Sequence, residues 1–373
     1  MKKTIMGLAG MALLIAVAFT ACNKKDDNGT TDNFDRKALL TNYADNYVTP
    51  AYQEMVAKMN TLKQDAAAFT AAPDEPKLLA LQNSWKDAYL TWQKVELLEF
   101  GPAENVSLRM YINIYPVSET KVNNNIASGS YDLDAFGNKD AQGFPALDLL
   151  INGTGATAAD IVSYYNTGSL ATNRKNYLMA VVNKMTDMIT GVQSAWAGYK
   201  DAFVESTGVS ANSSLSQLVN SYVLYYERYL RSGKIGLPVG AMAGTPSPGL
   251  TEANYSPALS KDLAVAAMKA VRQFYEGMSY DGTNNGVGMR DYLAAIGTKD
   301  EQGKLMSDVV AAEMDEATTA LEGLNGTIKD AVTNNRPAVL SVYDQLQNVV
   351  PLLKVDMVSA FGISITYVDN DGD

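Results

Sequence analysis

Apolar residues recur every three or four positions along most of this chain, the spacing that gathers them on one side of an α-helix. From Leu78 the set runs Leu78, Leu81, Trp85, Ala88, Trp92 and Val95. The rhythm returns in Leu178, Val181, Met185, Met188, Val192, Trp196 and Tyr199, in Leu215, Leu218, Tyr222, Tyr225 and Tyr229, and in Val339, Val342, Leu346, Val349, Leu353 and Met357. No stretch of similar length alternates as a strand does, so the predicted fold class is all-α. Short apolar pieces such as Ile363 to Tyr367 suit a small hairpin or edge and are too few to build a sheet. Pro351 interrupts the last periodic segment, where its missing N–H should bend or break the helix.

The start of the chain has a different character. Lys2 and Lys3 precede an apolar run from Ile5 to Phe19, and Phe19-Thr20-Ala21-Cys22 closes it with small residues before a cysteine. That reads as a secretory signal over residues 1–21. The run is shorter than the roughly 20 apolar residues of a spanning helix. Cys22, the only cysteine, is the expected lipidation site; the alternative is an ordinary signal peptide followed by a stray thiol. Residues 22–33 are polar and should form a flexible tether. Lys24-Lys25-Asp26-Asp27 resembles the charged export signals of surface lipoproteins, so the expected location is the cell envelope, on the periplasmic or outer face of an outer membrane.

The formal net charge is −11, and −13 once residues 1–21 with their two lysines are removed. Such acidity disfavours nucleic acid as a partner, because the phosphates would be repelled. The remaining length suits two units. The polar segment Phe203 to Ser214, with Gly208, Asn212 and paired serines, divides the chain into 34–207 and 208–373 and offers an N-cap to the next helix. Gly101 to Gly143 and Gly233 to Pro257 read as long irregular stretches, the kind that tend to carry function.

The sequence contains no histidine. Ser-His-Asp and Cys-His catalysis, His-ligated zinc and the HExxH helix are therefore excluded, and a lone acylated cysteine excludes thiolate metal sites. Any metal must be held by oxygen, which suits calcium, magnesium or ferric iron. The 21 tyrosines offer phenolic oxygens, yet most fall on apolar helical faces, Tyr225, Tyr226 and Tyr229 among them, where a core ring with its hydroxyl at the edge is the plainer reading. Asp132, Asp134 and Asp140 around Gly137 do not make an EF-hand, since Phe136 and Gly143 stand at ligand positions. Asp369, Asp371 and Asp373 read as a solvated acidic tail. No nucleotide-binding glycine pattern is present.

Several segments, taken in order over nearly all of the mature chain, resemble the imelysin family of bacterial envelope proteins, once classed as metallopeptidases and linked to iron acquisition. Trp85 to Pro102, WKDAYLTWQKVELLEFGP, is similar to the family's helix with a Trp, an inner acid and a closing Phe-Gly, and Glu96 falls on the acid. Asn113 to Glu119, NIYPVSE, resembles the Asn-x-Trp-Pro-x-x-Glu turn, with Tyr115 in place of tryptophan. The signature Gly-x-His-x-x-Glu aligns with Gly143-Phe144-Pro145-Ala146-Leu147-Asp148, so Pro145 replaces the histidine and Asp148 the glutamate. Arg231 to Gly240, Glu252 to Ser256 and the end from Leu353 to Asp373 also resemble the family. The resemblance implies two related helical bundles with a pocket where they meet.

The candidate pocket residues are Glu96, Asn113, Tyr115, Glu119 and Asp148, with Glu96 and Asp148 the candidates for holding a cation such as iron or calcium. Each has a second reading. Glu96 sits among Trp92, Val95, Leu97 and Leu98 and points either to solvent or into a polar pocket. Asn113 and Glu119 flank a Tyr-Pro turn and serve equally well as caps. Pro145 suits the first position of a helix, which would place Asp148 in the first turn, where the helix dipole favours its ionised form. The functional expectation is a non-enzymatic envelope component associated with iron or haem-linked uptake, held to the membrane by its lipid. The alternatives are a degenerate metallopeptidase-like protein and a surface module binding glycans or other envelope proteins.

Overall fold

A computed structural model of the chain describes residues 33–368. The signal segment 1–21, Cys22, nearly all of the tether and Asp369, Asp371 and Asp373 lie outside the described residues. The long helices are α1 (Thr49–Ala71), α2 (Glu75–Val95), α3 (Gly143–Asn152), α4 (Ala171–Glu205), α5 (Ser214–Leu224), α6 (Pro257–Tyr275), α7 (Met306–Gly323) and α8 (Arg336–Pro351). Among the described residues there is no strand, only isolated bridges at Met278–Asn285 and Lys299–Leu305. Among the described residues no helix is long and apolar enough to cross a membrane.

Helix starts follow local chemistry. At α2 the Asp74 carboxylate accepts the Lys77 backbone N–H at 2.8 Å, and Pro76 occupies the first turn, where an N–H would go unused. All six apolar positions expected for α2, from Leu78 to Val95, are buried, and Tyr89 and Gln93 are buried beside them. The wide buried face has a cause in the packing: α2 lies against α1 on one side and against α6 on another. Helix α1 packs on α2 and α4, α3 crosses α2 and α4, and α7 packs on α6 and α8. The contact of α2 with α6 therefore joins the helices before residue 208 to those after it.

The tyrosines behave as their positions suggest. Tyr43, Tyr222 and Tyr226 bury their rings and donate their hydroxyls to the carbonyls of Phe274 (2.8 Å), Val271 (3.1 Å) and Leu346 (2.9 Å). Burial pushes all three phenols well above their ordinary range.

Local expectations were met unevenly. Ile363 to Tyr367 forms no strand; the Asn220 side chain takes a partner strand's place, donating to Ser364 O at 3.0 Å and accepting from Thr366 N at 2.8 Å. Ser213 stands before α5, but its hydroxyl turns back to Ser210 O at 2.7 Å and caps nothing. The stretches 101–143 and 233–257 are broken into short helical turns, including Leu108–Ile112 and Glu119–Ser128, that satisfy their own backbone groups. Past Pro351 the chain continues as a π-helix, Leu352–Met357, a wider register that accommodates the missing N–H.

Candidate functional site

Helix α2 ends at Val95, and its C-cap residue Glu96 turns inward with 2% of its surface exposed. Asn113, in the turn after the short helix Leu108–Ile112, donates through Nδ2 to Glu96 Oε1 at 3.0 Å and to Glu252 Oε1 at 2.8 Å. The amide is oriented by Tyr89, whose hydroxyl donates to Asn113 Oδ1 at 2.7 Å. Lys234 Nζ lies 2.6 Å from Glu252 Oε2 and 3.8 Å from Glu96 Oε2. The four residues form one buried polar knot. Glu96 and Asn113 come from the chain before residue 208, Lys234 and Glu252 from the chain after it.

Lys234 reaches the knot because helix α5 runs on as a twelve-residue π-helix, Tyr225–Gly236. Arg231, Ser232, Gly233 and Lys234 are buried in succession along it, so the helix is enclosed on all sides at this point. A Cβ on Gly233 would stand 3.1 Å from the Tyr115 hydroxyl, so that ring would have to shift by a few tenths of an ångström to admit one. Burial holds the Glu96 carboxyl above its usual range, Lys234 pulls it down, and the neighbouring Glu252 pushes it up again.

Arg109 closes the knot from the other side. Its Nε and Nη2 donate to the Glu96 carbonyl at 3.1 and 2.7 Å, and its guanidinium lies 4.1 Å from the centre of the Tyr229 ring. The Arg109 backbone N–H donates to Glu99 at 3.0 Å. Burial raises Glu99 to about 7 despite the adjacent guanidinium.

Above the knot a cleft of about 240 Å³ is lined by Tyr115, Glu119 and Asp148 on one wall and by Thr251, Asn254 and Tyr255 on the other. Glu119 opens the helix Glu119–Ser128 and accepts a hydrogen bond from the Tyr255 hydroxyl across the cleft. Asn254 Oδ1 is buried and has no hydrogen-bond partner. The lining residues include no Lys or Arg, and the cleft offers acceptors at Glu119 and Asn254 Oδ1 beside the Tyr115 hydroxyl and the Asn254 amide N–H groups, which can donate. A larger groove of about 640 Å³, lined by Arg272, Glu276 and Arg290, lies elsewhere on α6 and α7 and holds none of the residues singled out from sequence.

Asp148 differs from its expected role. Helix α3 begins at Gly143, two residues before Pro145, and Gly143 enters it with a positive φ of 77° where a Cβ would meet the Ile112 carbonyl. Asp148 thus falls in the second turn and serves another helix. Its Oδ2 accepts the Tyr255 backbone N–H at 2.8 Å, just ahead of the start of α6, and its Oδ1 accepts Asn152 Nδ2 at 3.1 Å. Burial raises it to about 6 against these donors.

The five sequence candidates are thereby brought to one junction but not to one surface. Tyr115, Glu119 and Asp148 line the cleft, while Glu96 and Asn113 lie behind it. Among the described residues no three acidic side chains gather as a metal cluster would require. Lys234 and Glu252 were missed as site residues. The signal was present in Lys234, a lone cation in the glycine-rich apolar run Gly233-Lys234-Ile235-Gly236, where an unpaired charge is not tolerated.

The sequence model for the family described as imelysin, a peptidase M75 family, matches residues 48–350. Among solved structures, one described as an iron-regulated protein A precursor from Parabacteroides distasonis ATCC 8503 has a TM-score of 0.70 at 18% identity, covering 90% of this chain and 98% of that one. An imelysin-like protein from Psychrobacter arcticum 273-4 has a TM-score of 0.67 at 19% identity, covering 91% of this chain and 100% of that one. At such identities the likeness bears on the fold alone. No curated protein sequence matches the chain.

Proposed function

The chain belongs to the imelysin family, and from that premise we propose that it is a non-enzymatic binding lipoprotein of the cell envelope, acting in iron-linked or haem-linked uptake. The observation that carries this reading is the cleft without a Lys or Arg, with the exposed Glu119 on one wall and the unpartnered Asn254 Oδ1 on the other. An oxygen-only set suits a hard cation. With so few free donors it suits best an ion that brings ligands of its own, as a ferric chelate does. The description of a structural neighbour as iron-regulated agrees with that ligand class. Glu96 and Asp148 are both engaged in hydrogen bonds, which favours positioning roles for them over direct ligation.

The non-enzymatic reading rests on the residue inventory, since hydrolytic zinc sites draw on histidine and this sequence has none. Two bundles, 34–207 and 208–373, held at the α2–α6 contact, would set the cleft at their seam. Anchoring through Cys22 places the cleft on the periplasmic or outer face of the membrane.

Calorimetric titration of residues 34–373 with ferric citrate, calcium and haem tests the binding. Saturable binding of the iron compound or haem, lost in Glu119→Ala and Asn254→Ala, is the expected result. A folded protein that binds none of the three sinks the iron-linked reading. Cys22→Ser should release the protein from the membrane fraction; retention there would remove the lipid anchor from the proposal.

A further inference from the structure

Glu96 is a candidate from sequence for holding a cation, yet the inner cluster does not fit a metal ion. Its two carboxylates already share a cation: Lys234 Nζ sits 2.6 Å from Glu252 Oε2 and 3.8 Å from Glu96 Oε2, with 1% of the lysine side chain exposed. On the opposite edge Asn113 Nδ2 bridges Glu96 Oε1 and Glu252 Oε1 at 3.0 and 2.8 Å. Every carboxylate oxygen of the pair except Glu96 Oε2 therefore has a short hydrogen bond, and that one faces the ammonium. A bridging ion would have to stand where Nζ stands.

We propose that Lys234 is the resident cation of the Glu96–Glu252 pair, filling the place of a bridging metal, so that the inner cluster is closed to divalent ions and becomes a divalent-cation site when the ammonium is removed. The charge balance supports this. A divalent ion entering here would meet the Lys234 ammonium in a region of low dielectric, where like charges repel strongly. The two carboxylates left by loss of the lysine, with the Asn113 side chain beside them, would present oxygen donors to a hard ion. The consequence for the site is a division of labour: the inner knot joins the two parts of the chain, and ligand binding is left to the outer cleft. The inference deepens the reading of this junction as a binding site, and its test is independent of ligand capture in the cleft.

The probe is Mn2+, followed by the loss of its free-ion electron paramagnetic resonance signal on titration into the mature chain. Lys234→Met removes the ammonium while keeping an unbranched side chain. It should bind Mn2+ at least about tenfold more tightly than the wild type, and adding Glu252→Gln should abolish the gain. A Lys234→Met protein with native circular dichroism and wild-type Mn2+ affinity would overturn the proposal. A second comparison needs no lysine variant: Glu252→Gln alone should leave the wild-type Mn2+ response unchanged, and a weakened response would show that the pair holds metal despite Lys234. Failure of ferric citrate or haem to bind would count against the cleft and leave both comparisons intact.

Discussion

Glu99 offers a stability prediction whose sign follows from its surroundings. Burial raises its carboxyl from an ordinary 4.5 to about 7, with the Arg109 charge and backbone N–H working against the rise. The folded state thus holds this proton more tightly than the unfolded chain does. A raised carboxyl contributes stability that is fully present below pH 4.5 and lost as pH climbs through about 7. The gap of about 2.5 units corresponds to roughly 3 kcal/mol at pH 8, an upper figure because Glu99 is only half-buried. Glu99→Gln replaces the carboxyl with a neutral group of the same shape and removes this dependence. Urea unfolding followed by circular dichroism at pH 5, 6, 7 and 8 reads it out. The variant should match the wild type near pH 5 and exceed it by about 2 to 3 kcal/mol at pH 8. Asp148, whose carboxyl is also raised, tilts both proteins alike and cancels in the difference, whereas Glu96 interacts with Glu99 and contributes to it. Parallel curves for the two proteins would refute the argument that Glu99 is ionised at a loss in the folded state.

Asn113→Ala should cost roughly 3 kcal/mol in the same assay at pH 7, since it strips partners from Tyr89, Glu96 and Glu252 together and leaves buried polar atoms unsatisfied; a loss below about 1 kcal/mol would show that the knot is not cooperative. Gly143→Ala puts a Cβ 2.3 Å from the Ile112 carbonyl at a backbone φ of 77°, so it should lower thermal stability by several degrees, on the order of 2 kcal/mol or more. An unchanged melting temperature would mean the early start of α3 is not fixed by that glycine.

Much of the frame was legible because helices announce themselves locally. The three-and-four spacing of Leu78 to Val95 and of Val339 to Met357 depends on 3.6 residues per turn and on nothing distant. Absences were legible too, since no fold can supply a histidine that the chain lacks. The site was legible only in part. Glu96 stood out because a charge among Trp92, Val95, Leu97 and Leu98 must find a partner, but its partners lie in the turn at Asn113 and in the segment Lys234 to Glu252. Asp148 was read against its own helix and proved to serve the start of α6 more than a hundred residues away.

Composition and periodicity by themselves determined that this chain is all-α, that histidine chemistry is closed to it, and that its buried acids need compensation. Which groups compensate was decided by tertiary structure. The contact of α2 with α6 and the enclosure of Lys234 beside Glu96 and Glu252 are set by packing between distant segments, and hydrophobic spacing along one helix carries no information about the charge that will arrive from another.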